Sequence, residues 1–181
     1  MNPRRKKAVK QILFGVILLV IAGVSYFLGG KNSVLVSTFS ECADAGNPVM
    51  ESYPRQCRTK DGQTFKEDIG NELEKDDLIR IAEPRPNAVI TSPLKISGMA
   101  RGNWFFEASF PVKLFDGNGE IIARGVATAK SNWMTSEFVP FEATLSFTVP
   151  IMTAGTLVLD KDNPSDLPEN DDVLRVPILF R

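Results

Sequence analysis

The chain has 181 residues, with 21 lysines and arginines against 22 aspartates and glutamates, and it has no histidine. All five charged residues before Lys31 are basic, so the remainder holds 16 basic and 22 acidic residues, a formal charge of −6. Because phosphate contacts require a basic face, this acidic remainder excludes nucleic acid as an expected partner.

The N-terminal part has the pattern of a membrane anchor. A basic tail, residues 1–11, precedes the uncharged apolar residues 12–30, which as a helix would reach about 28 Å, close to the hydrocarbon thickness of a bilayer. Positive charge beside a span stays in the cytoplasm, so we expect one transmembrane helix with a cytoplasmic N-terminus and an extracellular or periplasmic C-terminal part. A cleaved signal peptide is the alternative, although the apolar run is longer than the usual signal core.

Residues 31–77 form a small segment that contains both cysteines of the chain, Cys42 and Cys57. An exported compartment permits disulfides, so we expect these two to be bonded, with free thiols as the alternative. Two cysteines without a histidine do not complete a zinc site. Asp61-Gly62 favours a two-residue turn, which predicts a small disulfide-tied hairpin.

The order of Tyr53, Cys57, Asp61-Gly62 and Thr64-Phe65 resembles part of the core of Kazal-type protease inhibitors. The resemblance implies protease inhibition as one alternative function. Those inhibitors rely on three disulfides, whereas this chain has two cysteines, and a structural module is the favoured interpretation.

Residues 67–77, EDIGNELEKDD, are dense in charge and could form a short helix or a solvated linker. Acidic runs with few apolar residues usually stay in water, so we expect a linker and a domain boundary near Asp77.

From residue 78 onward the apolar residues recur with the period of a β-strand. Phe141, Ala143, Leu145, Phe147 and Val149 alternate with polar residues, and Pro140 and Pro150 suit the two ends of such a strand because proline cannot donate to a ladder. Seven strands are predicted, at residues 78–82, 94–99, 105–115, 121–129, 141–149, 155–160 and 173–180.

The turn sequence Asp116-Gly117-Asn118-Gly119 predicts an antiparallel hairpin between two of these strands. Many short strands with Pro and Gly turns indicate a mainly β fold, an immunoglobulin-like antiparallel β-sandwich over residues 78–181. Pro177 argues that the last strand is an edge. The expected core consists of Phe110, Val112, Leu114, Ile121, Leu145, Phe147, Leu157, Leu159, Val176 and Ile178.

A series of short motifs in residues 78–181 resembles the bacterial immunoglobulin-like domain associated with spore-germination GerM proteins. The resemblance implies an exported, often tethered module at the cell envelope, and it brings no catalytic residues. Its motifs are Ser92-Pro93-Leu94, Gly98-Met99-Ala100, Phe106-Glu107-Ala108, Asp116-Gly117-Asn118-Gly119, Pro140-Phe141, Gly155-Thr156-Leu157 and Val176-Pro177-Ile178.

Catalytic and cofactor sites are not indicated by any motif. Without histidine the usual Ser-His and Cys-His nucleophile pairs are excluded, and neither a phosphate loop nor a dinucleotide glycine motif is present. We therefore expect no enzyme activity and no cofactor. Asp160, Asp162 and Asp166, in an acidic loop, are a weak calcium candidate, and a plain solvated loop is the alternative.

Trp104 and Trp133 are the candidate binding residues, because tryptophans near loops often serve as interface anchors. Packing in the core or rim is the favoured alternative for Trp104, and Trp133 is expected to be the more exposed of the two.

The function predicted from these features is that of a non-catalytic, single-pass envelope protein. It would present an immunoglobulin-like module that binds a protein or a cell-wall polymer. An accessory subunit of a membrane or secretion complex is the main alternative.

Overall fold

The structure is a computed structural model, and it describes residues 35–181. The predicted membrane helix at residues 12–30 lies outside the described residues, as does the basic tail. Within residues 35–181, no helix is both long and apolar enough to cross a bilayer. Thr38–Arg181 form one compact unit, so contacts cross the boundary predicted near Asp77.

A small disulfide-bonded module begins this unit. It consists of a helix and a three-stranded antiparallel sheet in the order β1-β2-β3: α1 (Phe39–Asp44), β1 (Val49–Met50), β2 (Gln56–Arg58) and β3 (Thr64–Lys66). Thr38 caps α1 reciprocally with Glu41, since each side chain accepts a hydrogen bond from the backbone amide of the other. Neither α1 nor β1 was predicted from the sequence.

The predicted disulfide between Cys42 and Cys57 is confirmed, and both residues are fully buried. The predicted hairpin connects β2 and β3, but its turn is longer than expected. The Gly62 amide donates to Thr59 O over 3.0 Å and the Thr59 amide to Gln63 O over 2.9 Å, so three residues form the loop. Gly62 has a φ of +93°, the left-handed residue that such three-residue loops require.

The immunoglobulin-like domain contains all seven predicted strands and one short additional strand, β5. Its strands are β4 (Ile79–Glu83), β5 (Val89–Ile90), β6 (Leu94–Arg101), β7 (Ser109–Asp116), β8 (Ile121–Ala129), β9 (Phe138–Leu145), β10 (Ala154–Asp160) and β11 (Val173–Phe180). They are hydrogen-bonded in the order β4-β6-β9-β8-β7-β10-β11-β5, and all neighbours are antiparallel except β11 and β5.

Two layers are formed because β8 and β9 pair through only two residue pairs, Thr128 with Glu142 and Ala129 with Phe141. The layers β4-β6-β9 and β8-β7-β10-β11-β5 therefore meet at one corner and face each other across the core. Phe110 of β7 reaches Phe141 of β9 with ring centroids 5.0 Å apart, in an edge-to-face contact. The mainly β, sandwich architecture is as predicted.

The core follows the alternation of the strands. Eight of the ten predicted core residues are buried, whereas Ile121 and Phe147 are only partly so, since Ile121 is the first residue of β8 and Phe147 lies beyond the end of β9. Buried residues that were not predicted include Ile79, Ile81, Ile96, Trp104, Phe105, Phe141, Leu174 and Phe180.

The largest differences from the prediction are at the start of β7 and at both ends of β9. Residues 105–108 are not part of β7, because Glu107 and Ala108 have φ values of 48° and 61°, which no strand can hold. β9 ends at Leu145 rather than at residue 149, so Val149 is exposed and Pro150 does not close the strand. β9 begins at Phe138, so Pro140 lies inside it rather than before it. The Pro140 carbonyl accepts from Lys130 on the β8 side, and its ring nitrogen points to that side too, so the β6 ladder loses no donor.

Pro177 lies in β11, which was predicted to be an edge strand. β11 is not the outermost strand of the sheet, because β5 pairs outside it at residues 179–180, but within residues 35–181 no strand pairs with β11 on that side at Pro177 itself. The carbonyl of Pro177 accepts from the Asn87 amide over 2.8 Å on that outer side. The ring nitrogen of Pro177, which carries no hydrogen, therefore also faces away from β10. The ladder between β10 and β11 loses no hydrogen bond.

Residues 67–77 were expected to be a solvated linker, and instead they pack against the large sheet. They contain a short helix, α2 (Glu72–Lys75), in which the side chain of Glu72 is buried. Gly70, with a φ of +66°, lies so close to β11 that a Cβ atom would be 1.9 Å from Arg175 O. This segment is therefore a structured joint between the disulfide-bonded module and the immunoglobulin-like domain.

Candidate binding surface

A row of side chains crosses the solvent-facing side of the layer that contains β7, β8, β10 and β11. Lys113 is the register partner of Arg124 on one side and of Val158 on the other, and Val158 is also the partner of Arg175. Register partners in a sheet point to the same face, so three cations lie in one line across four strands. The alternate residues, such as Leu114 and Leu157, point into the core and are fully buried.

A shallow depression of about 600 Å³ follows β10 along this face, and we call it the β10 furrow. Thr156 and Val158 lie along its middle, on β10, and their side chains are short. Longer side chains on the flanking strands form its walls, and Val158 is only 8% exposed between them although it faces outward. The furrow is lined by Lys113, Phe115, Asp116, Gly117, Gly119, Ala154, Gly155, Thr156, Val158, Asp160, Val173 and Arg175.

The cations of the furrow are only partly neutralised. Lys113 Nζ forms an ion pair with Asp160 Oδ2 over 2.9 Å, and within residues 35–181 this buried oxygen accepts no hydrogen bond. Arg175 and Arg124 are exposed, and within residues 35–181 neither side chain has an ion pair or a hydrogen bond. An arginine in this condition is ready to bind an anion.

A second, more polar depression of about 790 Å³ continues from one end of the furrow. It lies beside the loop between β10 and β11 and shares Lys113, Asp160 and Arg175 with the furrow. The Lys75 side chain of α2 reaches Asp172 there, with Nζ 2.6 Å from Oδ1. The joint and the immunoglobulin-like domain thus meet at this end of the binding surface.

The three aspartates of the calcium candidate all line the polar depression beside the loop between β10 and β11. Asp160 pairs with Lys113, the Asp162 amide donates to Trp104 O over 3.0 Å, and Asp166 adopts a φ of 53° in a turn. Throughout residues 35–181, no group of three or more acidic or cysteine side chains is arranged to hold a metal ion.

The two tryptophans occupy different environments, and neither lines the β10 furrow. Trp104 lies in a 3-10 turn after β6, is 0% exposed and packs in the core, so it is not a surface anchor. Its Nε1 has no hydrogen-bond partner among the described residues. Trp133 is partly buried against the same core, and the adjacent Met134 is the exposed residue of that loop. Both tryptophans therefore contribute to packing.

Asn71 and Gly70 of the joint hold the backbone of one furrow wall. Asn71 Nδ2 donates to Val173 O over 2.8 Å, and Asn71 Oδ1 accepts from the Arg175 amide over 2.7 Å. A side-chain amide thereby continues the hydrogen-bonding pattern at the outer side of β11. The joint positions the backbone of Arg175. No local sequence pattern indicates this contact, because the two partners are over a hundred residues apart in the chain.

A second set of polar contacts fixes the joint both to the disulfide-bonded module and to the loop after β4. The buried carboxylate of Glu72 accepts from Arg85, with Nη1 2.7 Å from Oε1, and from the hydroxyl of Tyr53. Arg85 also donates to Ile81 O over 2.7 Å. Burial and the hydrogen bond to Glu72 raise the pKa of Tyr53 to about 12.

Arg55 and Glu67 form a further contact between the module and the joint, with Nη2 2.6 Å from Oε1 and Nε 2.8 Å from Oε2. This two-pronged hydrogen bond lowers the pKa of the Glu67 carboxyl below its ordinary value. The side-chain amide of Asn87, in the loop after β4, donates to Asp68 O of the joint over 2.7 Å.

Comparison with known families agrees with this architecture. Residues 78–167 match the model of a family described as the immunoglobulin-like domain of bacterial spore germination. The chain therefore contains an immunoglobulin-like domain of the spore-germination type, and the resemblance seen in its motifs is confirmed. No curated protein and no solved structure matches the chain.

Proposed function

We propose that the protein is a non-catalytic, single-pass envelope protein whose immunoglobulin-like domain binds a protein or a cell-wall polymer. In this proposal residues 12–30 span the membrane, the N-terminus is cytoplasmic, and the domain is extracellular or periplasmic. The disulfide between Cys42 and Cys57 supports an oxidising compartment. The absence of histidine supports a role without catalysis.

The binding role depends on one observation, the exposed β10 furrow with two cations on its opposite walls. Within residues 35–181, the Lys113 side chain has one ionic partner, Asp160, and the Arg175 side chain has none. A ligand that binds both cations therefore competes with one ion pair only. A rigid sheet presents both groups, because each lies on a long paired strand. Binding sites of this kind need no rearrangement of the backbone.

The test is capture from an envelope extract by the full chain, tagged at its C-terminus and solubilised in detergent. Lys113→Gln/Arg175→Gln removes two charges from the furrow, and Lys60→Gln/Lys95→Gln removes two exposed charges elsewhere. We expect the furrow variant to lose the captured ligand and the matched control to keep it. Capture that is the same for both variants, or absent from the unaltered chain, would contradict a binding role for the furrow.

The membrane topology has its own test. Intact mass of the protein recovered from membranes should include residues 1–30, and added protease should digest the immunoglobulin-like domain only from the outer side. Loss of about thirty residues would show a cleaved signal peptide instead.

A further inference from the structure

We propose that the β10 furrow binds an anionic, hydroxyl-rich linear polymer, a chain of polyol units joined by phosphodiesters, with one phosphate held between Lys113 and Arg175. This inference rests on the proposed function and names the chemistry of the ligand. It is carried by the shape of the furrow, the placement of its cations and the pairing of its strands.

The shape of the furrow suits an extended chain. The depression follows β10, a strand of seven residues and about 20 Å. Its middle is level because Thr156 and Val158 are short. A thin polymer can lie along this path, whereas a convex protein surface would touch only its rims.

The charges of the furrow suit a phosphodiester. Lys113 and Arg175 lie on the two strands that flank β10, so their backbones are about 10 Å apart. A phosphodiester above Val158 has two unesterified oxygens that point in different directions, and each cation can bind one of them. Arginine also binds phosphate oxygens through two parallel N–H groups.

The ends of the furrow are acidic and its middle is basic. Asp160 stands at one end and Asp116 at the other, with Lys113 and Arg175 between them. The part of the chain from Lys31 onward has a formal charge of −6, so its net field opposes an anionic polymer. Lys113 and Arg175 are the two cations that line the furrow, so a phosphate within the furrow has its position between them.

An acidic peptide fits this surface less well. Extended peptides commonly bind by adding a strand to a free sheet edge, but β10 pairs with β7 on one side and β11 on the other. The furrow also offers Phe115 as its single aromatic residue and has no deep apolar pocket for a side-chain anchor. The hydroxyl of Thr156 has no hydrogen-bond partner in residues 35–181 and can bind a polyol hydroxyl.

The experiment uses a fluorescently labelled synthetic glycerol-phosphate oligomer and the full chain in detergent, with anisotropy as the readout. We expect saturable binding that Lys113→Gln/Arg175→Gln weakens by about tenfold or more, with a shallower dependence on salt. Lys60→Gln/Lys95→Gln should change the dissociation constant by less than about twofold, because its two lysines lie outside the furrow. Thr156→Asp, which adds a carboxylate and leaves both cations in place, should weaken binding as well.

Two further probes assign the ligand class. Polyglutamate presents the carboxylates of an acidic peptide, and dextran presents hydroxyls without charge. Tighter binding of polyglutamate than of the glycerol-phosphate oligomer would overturn the inference in favour of a peptide, and tighter binding of dextran would overturn it in favour of a neutral glycan. Absence of oligomer binding, or binding that all three variants leave unchanged, would overturn it too.

The failure of this inference can be told apart from the failure of the proposed function. If the furrow variant abolishes capture from the envelope extract but the oligomer does not bind, the furrow binds another ligand and only the polymer assignment is wrong. If neither capture nor oligomer binding depends on Lys113 and Arg175, the proposed function of the furrow is wrong as well.

Discussion

Arg85 Nη1 lies 2.7 Å from Glu72 Oε1, and this ion pair connects the loop after β4 to the helix of the joint. The Tyr53 hydroxyl, from the disulfide-bonded module, donates to the same carboxylate. Three segments of the chain therefore converge on one buried acid. Glu72 should contribute more to stability than an exposed glutamate, because its partners are left unsatisfied when it is removed.

Glu72→Ala is expected to lower the free energy of unfolding by about 2 kcal/mol, since Arg85 and Tyr53 lose their shared acceptor. Urea unfolding followed by circular dichroism measures the change. Glu74→Ala removes an exposed carboxylate from the same helix and should stay within about 0.5 kcal/mol of the unaltered chain. Equal effects of the two substitutions would show that the Glu72 contacts do not stabilise the joint.

Gly70→Ala should be more destabilising than Gly46→Ala, although both glycines have positive φ. A Cβ at Gly70 would be 1.9 Å from Arg175 O, whereas a Cβ at Gly46 would have nothing within 4 Å. The backbone strain of about 1–2 kcal/mol is common to both, so the difference between their unfolding free energies reports the contact with β11. We expect a difference of at least about 2 kcal/mol in chemical denaturation, and no difference would contradict the close approach.

The contact between Arg55 and Glu67 should make stability depend on pH. Hydrogen bonding to Arg55 lowers the pKa of Glu67 in the folded state, so its contribution is present above the ordinary carboxyl pKa of 4.5 and is lost as the pH falls through the folded value. Since Arg55 is half exposed, the contribution should be below about 1 kcal/mol. Thermal melts from pH 7 to pH 3 should show Glu67→Gln less stable than the unaltered chain at neutral pH only.

Trp104→Ala should lower the free energy of unfolding by about 3–5 kcal/mol, because the side chain is fully enclosed in the core. Trp133→Ala should cost about 1 kcal/mol, since that side chain is only partly buried. Tryptophan fluorescence gives an independent check. Trp133→Ala, which retains Trp104, should emit at shorter wavelength than Trp104→Ala and should be quenched less by iodide. Similar quenching of both variants would contradict the difference in burial.

Cys42→Ala/Cys57→Ala should lower the unfolding free energy by about 3 kcal/mol, because the bond closes a loop of sequence separation 15. Limited proteolysis should then cut the disulfide-bonded module first. The immunoglobulin-like domain contains neither cysteine and should resist digestion longer. Simultaneous digestion of both parts would show that the module is required for the fold of the domain.

The sandwich could be predicted from sequence because its information is local. Alternation of apolar residues within each strand gave seven strands, and Asp116 to Gly119 gave the turn between two of them. The disulfide followed from the presence of two cysteines. Proline was less informative than expected, because the effect of Pro140 depends on which side of the strand carries its nitrogen.

The furrow and the joint could not be predicted from sequence because their information is not local. Lys113, Val158 and Arg175 become neighbours only through the register of three strands. The acidic composition of residues 67–77 indicated exposure to water, and it contained no sign that Arg85 would compensate a buried Glu72.

The contacts of Asn71 have a consequence for association between chains. From the Val173 amide to the Leu179 amide, the backbone groups of β11 that face away from β10 all have hydrogen-bond partners. The Val173 amide donates to the Asp172 side chain, and Asn71 binds the Val173 carbonyl and both backbone groups of Arg175. The Pro177 carbonyl accepts from the Asn87 amide, and the Leu179 amide donates to Ala88 O. Such an edge gives no template for pairing with another chain. Molecules crowded at high density can therefore stand side by side without assembling into a continuous sheet through this edge.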